Sequence, residues 1–113
     1  MKTYRDDILQ VFSEHLPWEK LYGTNILVTG ATGLIGSTLV DALMTNPHRD
    51  YSVYASGRNQ ARARKRFENY FSMDSFSFIE HDVTLPLQSH VKFDYIIHAA
   101  SPASPNAFSM TTP

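Results

Sequence analysis

The run Asn25-Ile26-Leu27-Val28-Thr29-Gly30-Ala31-Thr32-Gly33-Leu34-Ile35-Gly36 constrains this chain more than any other segment. A short apolar stretch enters three glycines spaced three residues apart, and helical periodicity begins at once. A strand that passes through a glycine turn into a helix presents free backbone N–H groups to a phosphate. Each glycine answers a separate demand. Gly30 is expected to turn the chain off the strand, Gly33 to let a pyrophosphate approach the backbone, and Gly36 to let the helix lie close to the sheet. Phosphate contacts are then expected from the backbone around Ala31, Leu34 and Ile35, with Thr29 and Thr32 as hydroxyl donors. The helix dipole adds roughly 0.3–1 kcal/mol for an anion there. A P-loop is excluded, because no Gly-Lys-Ser or Gly-Lys-Thr follows.

Around this motif the chain reads as alternating elements. Residues 3–16 carry Tyr4, Ile8, Val11 or Phe12, and His15 or Leu16 at helical spacing, and Pro17 ends that helix. Trp18, Leu21 and Tyr22 are expected to pack the following linker onto the body. Strands are expected at residues 25–29, 51–56, 76–80 and 95–98, and helices at 34–45 and 59–70. In the first of these helices Ile35, Leu39 and Leu43, flanked by Val40 and Met44, form the buried side. Ala63, Phe67, Tyr70 and Phe71 are the residues of the second available to the sheet. Right-handed crossovers place these strands in the order 3-2-1-4, an α/β Rossmann-like parallel sheet. The division is 1–22, an extra N-terminal helix and linker, and 23–113, a partial dinucleotide-binding domain. No strand is expected beyond the fourth, since few residues remain.

At 113 residues, 42% of them hydrophobic and 19% charged, the chain fits one folded domain. Ten Lys or Arg against eleven Asp or Glu leave a net charge of -1, which removes the electrostatic case for nucleic acid. There is no cysteine, so disulfides and thiolate metal sites are excluded. The five histidines show no paired ligand spacing, and no metal is expected. No long apolar stretch reads as a signal peptide or membrane span, so a soluble cytoplasmic protein is expected.

The tip of strand two should read the adenosine ribose. An acid about 20 residues beyond the glycines suits the ribose hydroxyls of NAD, and an arginine suits the 2′-phosphate of NADP. Here the tip is Ala55-Ser56-Gly57-Arg58-Asn59, without an acid. Either dinucleotide fits, and Arg58 favours NADP through bidentate hold on a phosphate. The alternative is an exposed arginine that opens the next helix. Ser56 and Asn59 are positioned to bond to ribose in either case. Arg62 is within reach of the 2′-phosphate edge, whereas Arg64, Lys65 and Arg66 read with it as a solvated helix face. After strand three, Asp82 offers a carboxylate to the adenine amino group and Val83 an apolar contact; a loop aspartate capping local backbone is the alternative. After strand four, Ala99, Ala100 and Ser101 leave room beside the pyrophosphate, and His98 reads as a structural residue.

Three parts of the chain resemble the NAD-dependent epimerase/dehydratase family, within the extended short-chain dehydrogenase/reductases that act on nucleotide sugars. They are Thr29-Gly30-Ala31-Thr32-Gly33-Leu34-Ile35-Gly36, the pair Asp82-Val83, and Asp94-Tyr95-Ile96-Ile97-His98-Ala99-Ala100-Ser101. Ser101-Pro102-Ala103-Ser104-Pro105 is similar to a loop of the family's sugar-nucleotide decarboxylases and dehydratases. The resemblance spans about residues 21–113. It implies transient oxidation of a sugar hydroxyl by a tightly held dinucleotide, then elimination, epimerisation or decarboxylation. It also implies a Tyr-x-x-x-Lys pair as the proton-transfer machinery, and Tyr51, Tyr54 and Tyr70 have no lysine four residues on. The expectation is therefore the cofactor-binding front of a nucleotide-sugar enzyme, inactive as these 113 residues, prone to self-association, with no catalytic residue assigned. A stand-alone nucleotide-binding or protein-interaction module is the alternative.

Overall fold

The computed structural model describes residues 3–47, 49–81, 91–99 and 108–111. The elements in order are α1 (Tyr4–His15), α2 (Trp18–Leu21), β1 (Asn25–Thr29), α3 (Leu34–Met44), β2 (Ser52–Gly57), α4 (Gln60–Arg66), β3 (Phe76–Glu80), β4 (Tyr95–Ala99) and β5 (Phe108–Thr111). The sheet runs β3-β2-β1-β4-β5. Its first four strands are parallel, in the expected order 3-2-1-4. One expectation is overturned. A strand does lie beyond β4: β5 pairs with it antiparallel, with Ile97 opposite Met110. A short antiparallel partner needs only a loop to return, whereas a further parallel strand needs a crossover of a dozen or more residues.

β1 is buried along Ile26, Leu27 and Val28, as a central parallel strand covered on both faces requires. Ile26, Val28, Val53, Ala55, Phe76 and Ile97 form one continuous core with Ile35, Leu39 and Leu43 of α3. α3 is buried from Ile35 to Met44, all the way round. Ser37 and Thr38 tolerate this because both hydroxyls donate to the Leu34 carbonyl. The outer face of α3 is covered by α1, whose Ile8 and Phe12, with Leu16 just past its end, join the same core. Between the sequence alternatives, Phe12 and Leu16 are the buried pair, while Val11 and His15 are exposed. A capping box fixes the start of α1: Thr3 Oγ1 accepts the Asp6 N–H, and Asp6 Oδ2 accepts the Thr3 N–H.

Two local features differ from expectation. The linker after Pro17 contains one helical turn, α2, which buries Leu21, and Tyr22 stacks on Tyr51 with ring centroids 6.2 Å apart. α4 ends at Arg66 rather than residue 70. Beyond it Phe67, Tyr70 and Phe71 still reach the sheet by gathering around Phe76, at centroid distances of 5.6, 5.7 and 5.6 Å. Ring packing fixes those residues where helical hydrogen bonding stops.

Candidate functional site

The carboxyl ends of β1, β2 and β4 meet at one edge of the sheet, and the glycine turn lies over them. Gly30 has φ +65°, a conformation that favours glycine, and a Cβ there would stand 2.9 Å from the Ala99 carbonyl oxygen. The turn is tied to β2 by the Ala31 N–H, which donates to the Ser56 carbonyl at 3.0 Å. At Gly36 a Cβ would stand 2.1 Å from the Gly30 carbonyl oxygen and 2.8 Å from the Ala31 Cα. Only a glycine lets α3 begin so close to the turn.

Gly33 is different. It is the N-cap of α3, is exposed, and among the described residues a Cβ on it would meet only the Gly30 oxygen, at an ordinary 3.6 Å. It offers no side-chain cap, and the first turn of α3 carries no acid. The N–H groups of Leu34, Ile35 and Gly36 have no intrahelical partner by virtue of their position. Among the described residues the helix therefore opens with free donors and positive dipole, and nothing fills the space before it, at the point where the strand order reverses between β1 and β4. These are the properties a pyrophosphate requires.

Around this edge the remaining expected residues take distinct places. Thr29 Oγ1 lies 3.1 Å from His98 Nδ1, joining the ends of β1 and β4, so His98 has a structural partner. Thr32 sits half-buried against Gly57, with Oγ1 3.4 Å from where a Gly57 Cβ would be. Ser56 is 1% exposed, and its Oγ has no hydrogen-bond partner among the described residues. A buried hydroxyl of that kind is uncommon and calls for a partner. Arg58 and Arg62 are exposed, and Arg58 makes no ion pair among the described residues. Asn59 is the N-cap of α4, its Oδ1 accepting the Arg62 N–H at 3.0 Å. Ala99 backs the glycine turn through its carbonyl. Asp82, Val83, Ala100 and Ser101 lie outside the described residues.

The basic run of α4 is not uniformly solvated, which corrects the sequence reading. Arg66 Nη2 lies 2.6 Å from Oδ2 of buried Asp41, and its guanidinium also covers the Phe67 ring at 5.5 Å. Arg64 lies over Phe71 at 5.2 Å. These arginines brace α4 through those contacts.

The glycine turn, the strand order and the open helix start have a family counterpart. The pattern of the NAD dependent epimerase/dehydratase family matches residues 26–113. The chain belongs to that family. Similar curated proteins are UDP-glucuronic acid decarboxylase 1 of Danio rerio, 39% identical over 82 residues, and UDP-glucuronic acid decarboxylase 6 of Arabidopsis thaliana, 42% identical over 83 residues. UDP-glucuronic acid decarboxylase 2 of Arabidopsis thaliana is 37% identical over 86 residues. The first two alignments cover 71% of this chain and the third 76%. The same alignments cover 18%, 22% and 18% of those relatives, so the chain spans about a fifth of their length. Membership of the family carries NAD(P) binding with it in general terms. α1 precedes the matched segment.

Sequence reasoning missed two residues of this region. Asp41 was hidden inside an apolar helix pattern, its partners 25 and 29 residues away. Glu80 ends β3, and only the sheet register brings it beside the tip of β2. Neither has a local signature.

Proposed function

We propose that this chain forms the dinucleotide seat of a nucleotide-sugar enzyme of the decarboxylase or dehydratase type, with a UDP-sugar acid as the substrate class. One observation carries the cofactor part: α3 opens uncapped and free of acids at the switch point between β1 and β4. The substrate class is supported by the similarity to UDP-glucuronic acid decarboxylases. In this reading the backbone from Ala31 to Ile35 holds the pyrophosphate, with Thr32 beside it and Gly30 and Gly36 fixing the turn. Ser56 takes a ribose contact that satisfies its buried hydroxyl, and Arg58 holds a 2′-phosphate, which favours NADP. Asp82 and Val83 hold the adenine, and Ala99, Ala100 and Ser101 flank the nicotinamide side. When bound, the dinucleotide supplies the hydride acceptor for transient oxidation of a sugar hydroxyl. No residue of these 113 is assigned to proton transfer, and no turnover by them alone is part of the proposal.

A cytoplasmic location belongs to the same reading. Among the described residues no helix is long and apolar enough to cross a membrane. Self-association is proposed through the sheet edges at β3 and β5, which among the described residues have no further strand beside them. Sedimentation of the purified chain as a monodisperse monomer would remove that part.

The test of the cofactor seat is Gly33→Val. Gly33 has φ -73° and ψ 172°, accessible to any residue, and the described residues leave space for a side chain. The variant is expected to fold while its affinity for dinucleotide falls at least about tenfold. Calorimetry that finds unchanged affinity in the folded variant would reject the placement.

A further inference from the structure

The tip of β2 carries no acid of its own, but the sheet register delivers one from the neighbouring strand. Glu80, the last residue of β3, pairs with Gly57, the last residue of β2. The pairing is closed by the His81 N–H, which donates to the Gly57 carbonyl at 2.7 Å. From there the Glu80 side chain reaches the start of α4, where Oε2 accepts the Gln60 N–H at 3.1 Å. Arg58 stands between these two points in the chain, one residue after Gly57 and two before Gln60. A cation and a carboxylate therefore belong to the same small, exposed tip.

We infer that Glu80 is a specificity-determining residue, whose carboxylate favours the ribose hydroxyls of NAD and opposes the 2′-phosphate that Arg58 attracts. The inference rests on the dinucleotide seat proposed above. Two of the backbone donors beside the tip are already taken, Gln60 N–H by Glu80 and Arg62 N–H by the Asn59 side chain. A 2′-phosphate, with a charge of about -1.5 to -2, meets a carboxylate there that offsets the attraction of Arg58. A ribose diol is neutral and brings donors. Glu80 Oε1, which has no hydrogen bond among the described residues, is available to accept one. Arg58 and Glu80 thus act in opposite senses, and their balance sets the preference.

Glu80→Gln tests this, because it removes the charge while an amide oxygen can still accept the Gln60 N–H. The full 113-residue chain and the variant are titrated with NAD and with NADP by calorimetry, with circular dichroism confirming the fold. The ratio of NAD affinity to NADP affinity is expected to fall by roughly threefold or more in the variant, the scale of an exposed charge interaction. Glu80→Ser serves as a second variant with the same expected direction if the glutamine variant folds poorly. A smaller change, or a change toward NAD, would overturn the inference while leaving the cofactor seat intact. An unsubstituted chain that binds neither dinucleotide would overturn the seat, and this inference with it.

Discussion

Asp41 of α3 and Arg66 of α4 are joined at 2.6 Å. Asp41 is 4% exposed, and it also accepts the Tyr70 hydroxyl at 2.7 Å. A carboxylate in that position would be costly without such partners. The pair links the helix that opens at the phosphate seat to the helix that follows the β2 tip. It therefore holds the two ends of the proposed dinucleotide site in one arrangement.

Removing the arginine should destabilise the protein more than removing the carboxylate. Arg66→Ala leaves the buried Asp41 carboxylate without its cation and is expected to cost about 3 kcal/mol. Asp41→Ala leaves Arg66, whose side chain is 32% exposed and can turn to water, so it is expected to cost only ~1 kcal/mol from the pair itself. Urea midpoints of the two variants would decide. Equal losses would show that the pair does not brace the helices as described.

The two glycines at the start of α3 should separate fold from binding. Gly36→Ala places a methyl 2.1 Å from the Gly30 carbonyl oxygen, where backbone cannot yield cheaply. A loss of about 3 kcal/mol, or failure to fold, is expected. Gly33→Ala meets nothing closer than 3.6 Å among the described residues and should stay within about 0.5 kcal/mol of the parent. Similar stabilities for the two alanine variants, measured by thermal unfolding, would contradict the geometry.

The sequence revealed the sheet because its signals are local. Strand-length apolar runs, a glycine turn and a helical stripe each announce themselves within a dozen residues, and right-handed crossovers then leave the order 3-2-1-4. The demands on Gly30 and Gly36 were legible for the same reason. The rest depends on distant partners. Arg66 looks like its neighbours until Asp41, 25 residues earlier, is placed beneath it. The acid missing from the β2 tip is found only when register sets Glu80 opposite Gly57. β5 escaped because an antiparallel return needs so little chain.

Tyr51 should weaken the fold at alkaline pH. Its hydroxyl donates to the Leu43 carbonyl at 2.5 Å. Burial raises its pKa above the ordinary 10.0, against the smaller lowering effect of the hydrogen bond with Asn46. Unfolding frees the phenol to ionise at its ordinary value, so above that pH the unfolded chain binds fewer protons than the folded one. Stability is then fully present below about pH 10 and is lost as pH rises toward the folded pKa. The urea midpoint of the parent should fall above pH 10 more steeply than that of Tyr51→Phe. Parallel profiles for the two proteins would exclude this contribution.

Arg58 should act on one cofactor far more than on the other. Its guanidinium is exposed at the β2 tip and has no ion pair among the described residues. Only NADP brings a phosphate to this position, and an arginine–phosphate contact is charge-assisted and bidentate. Arg58→Ala is therefore expected to weaken NADP roughly tenfold, about 1.4 kcal/mol, and NAD less than twofold. The NADP loss should also shrink as salt is raised, because exposed charges are screened over a Debye length of about 8 Å at physiological ionic strength. Calorimetric titrations of both cofactors at low and high salt check each part. Equal losses for NAD and NADP would mean that Arg58 contributes only general positive potential. No loss for either would make it the exposed arginine that merely opens α4, and the preference for NADP would have no support.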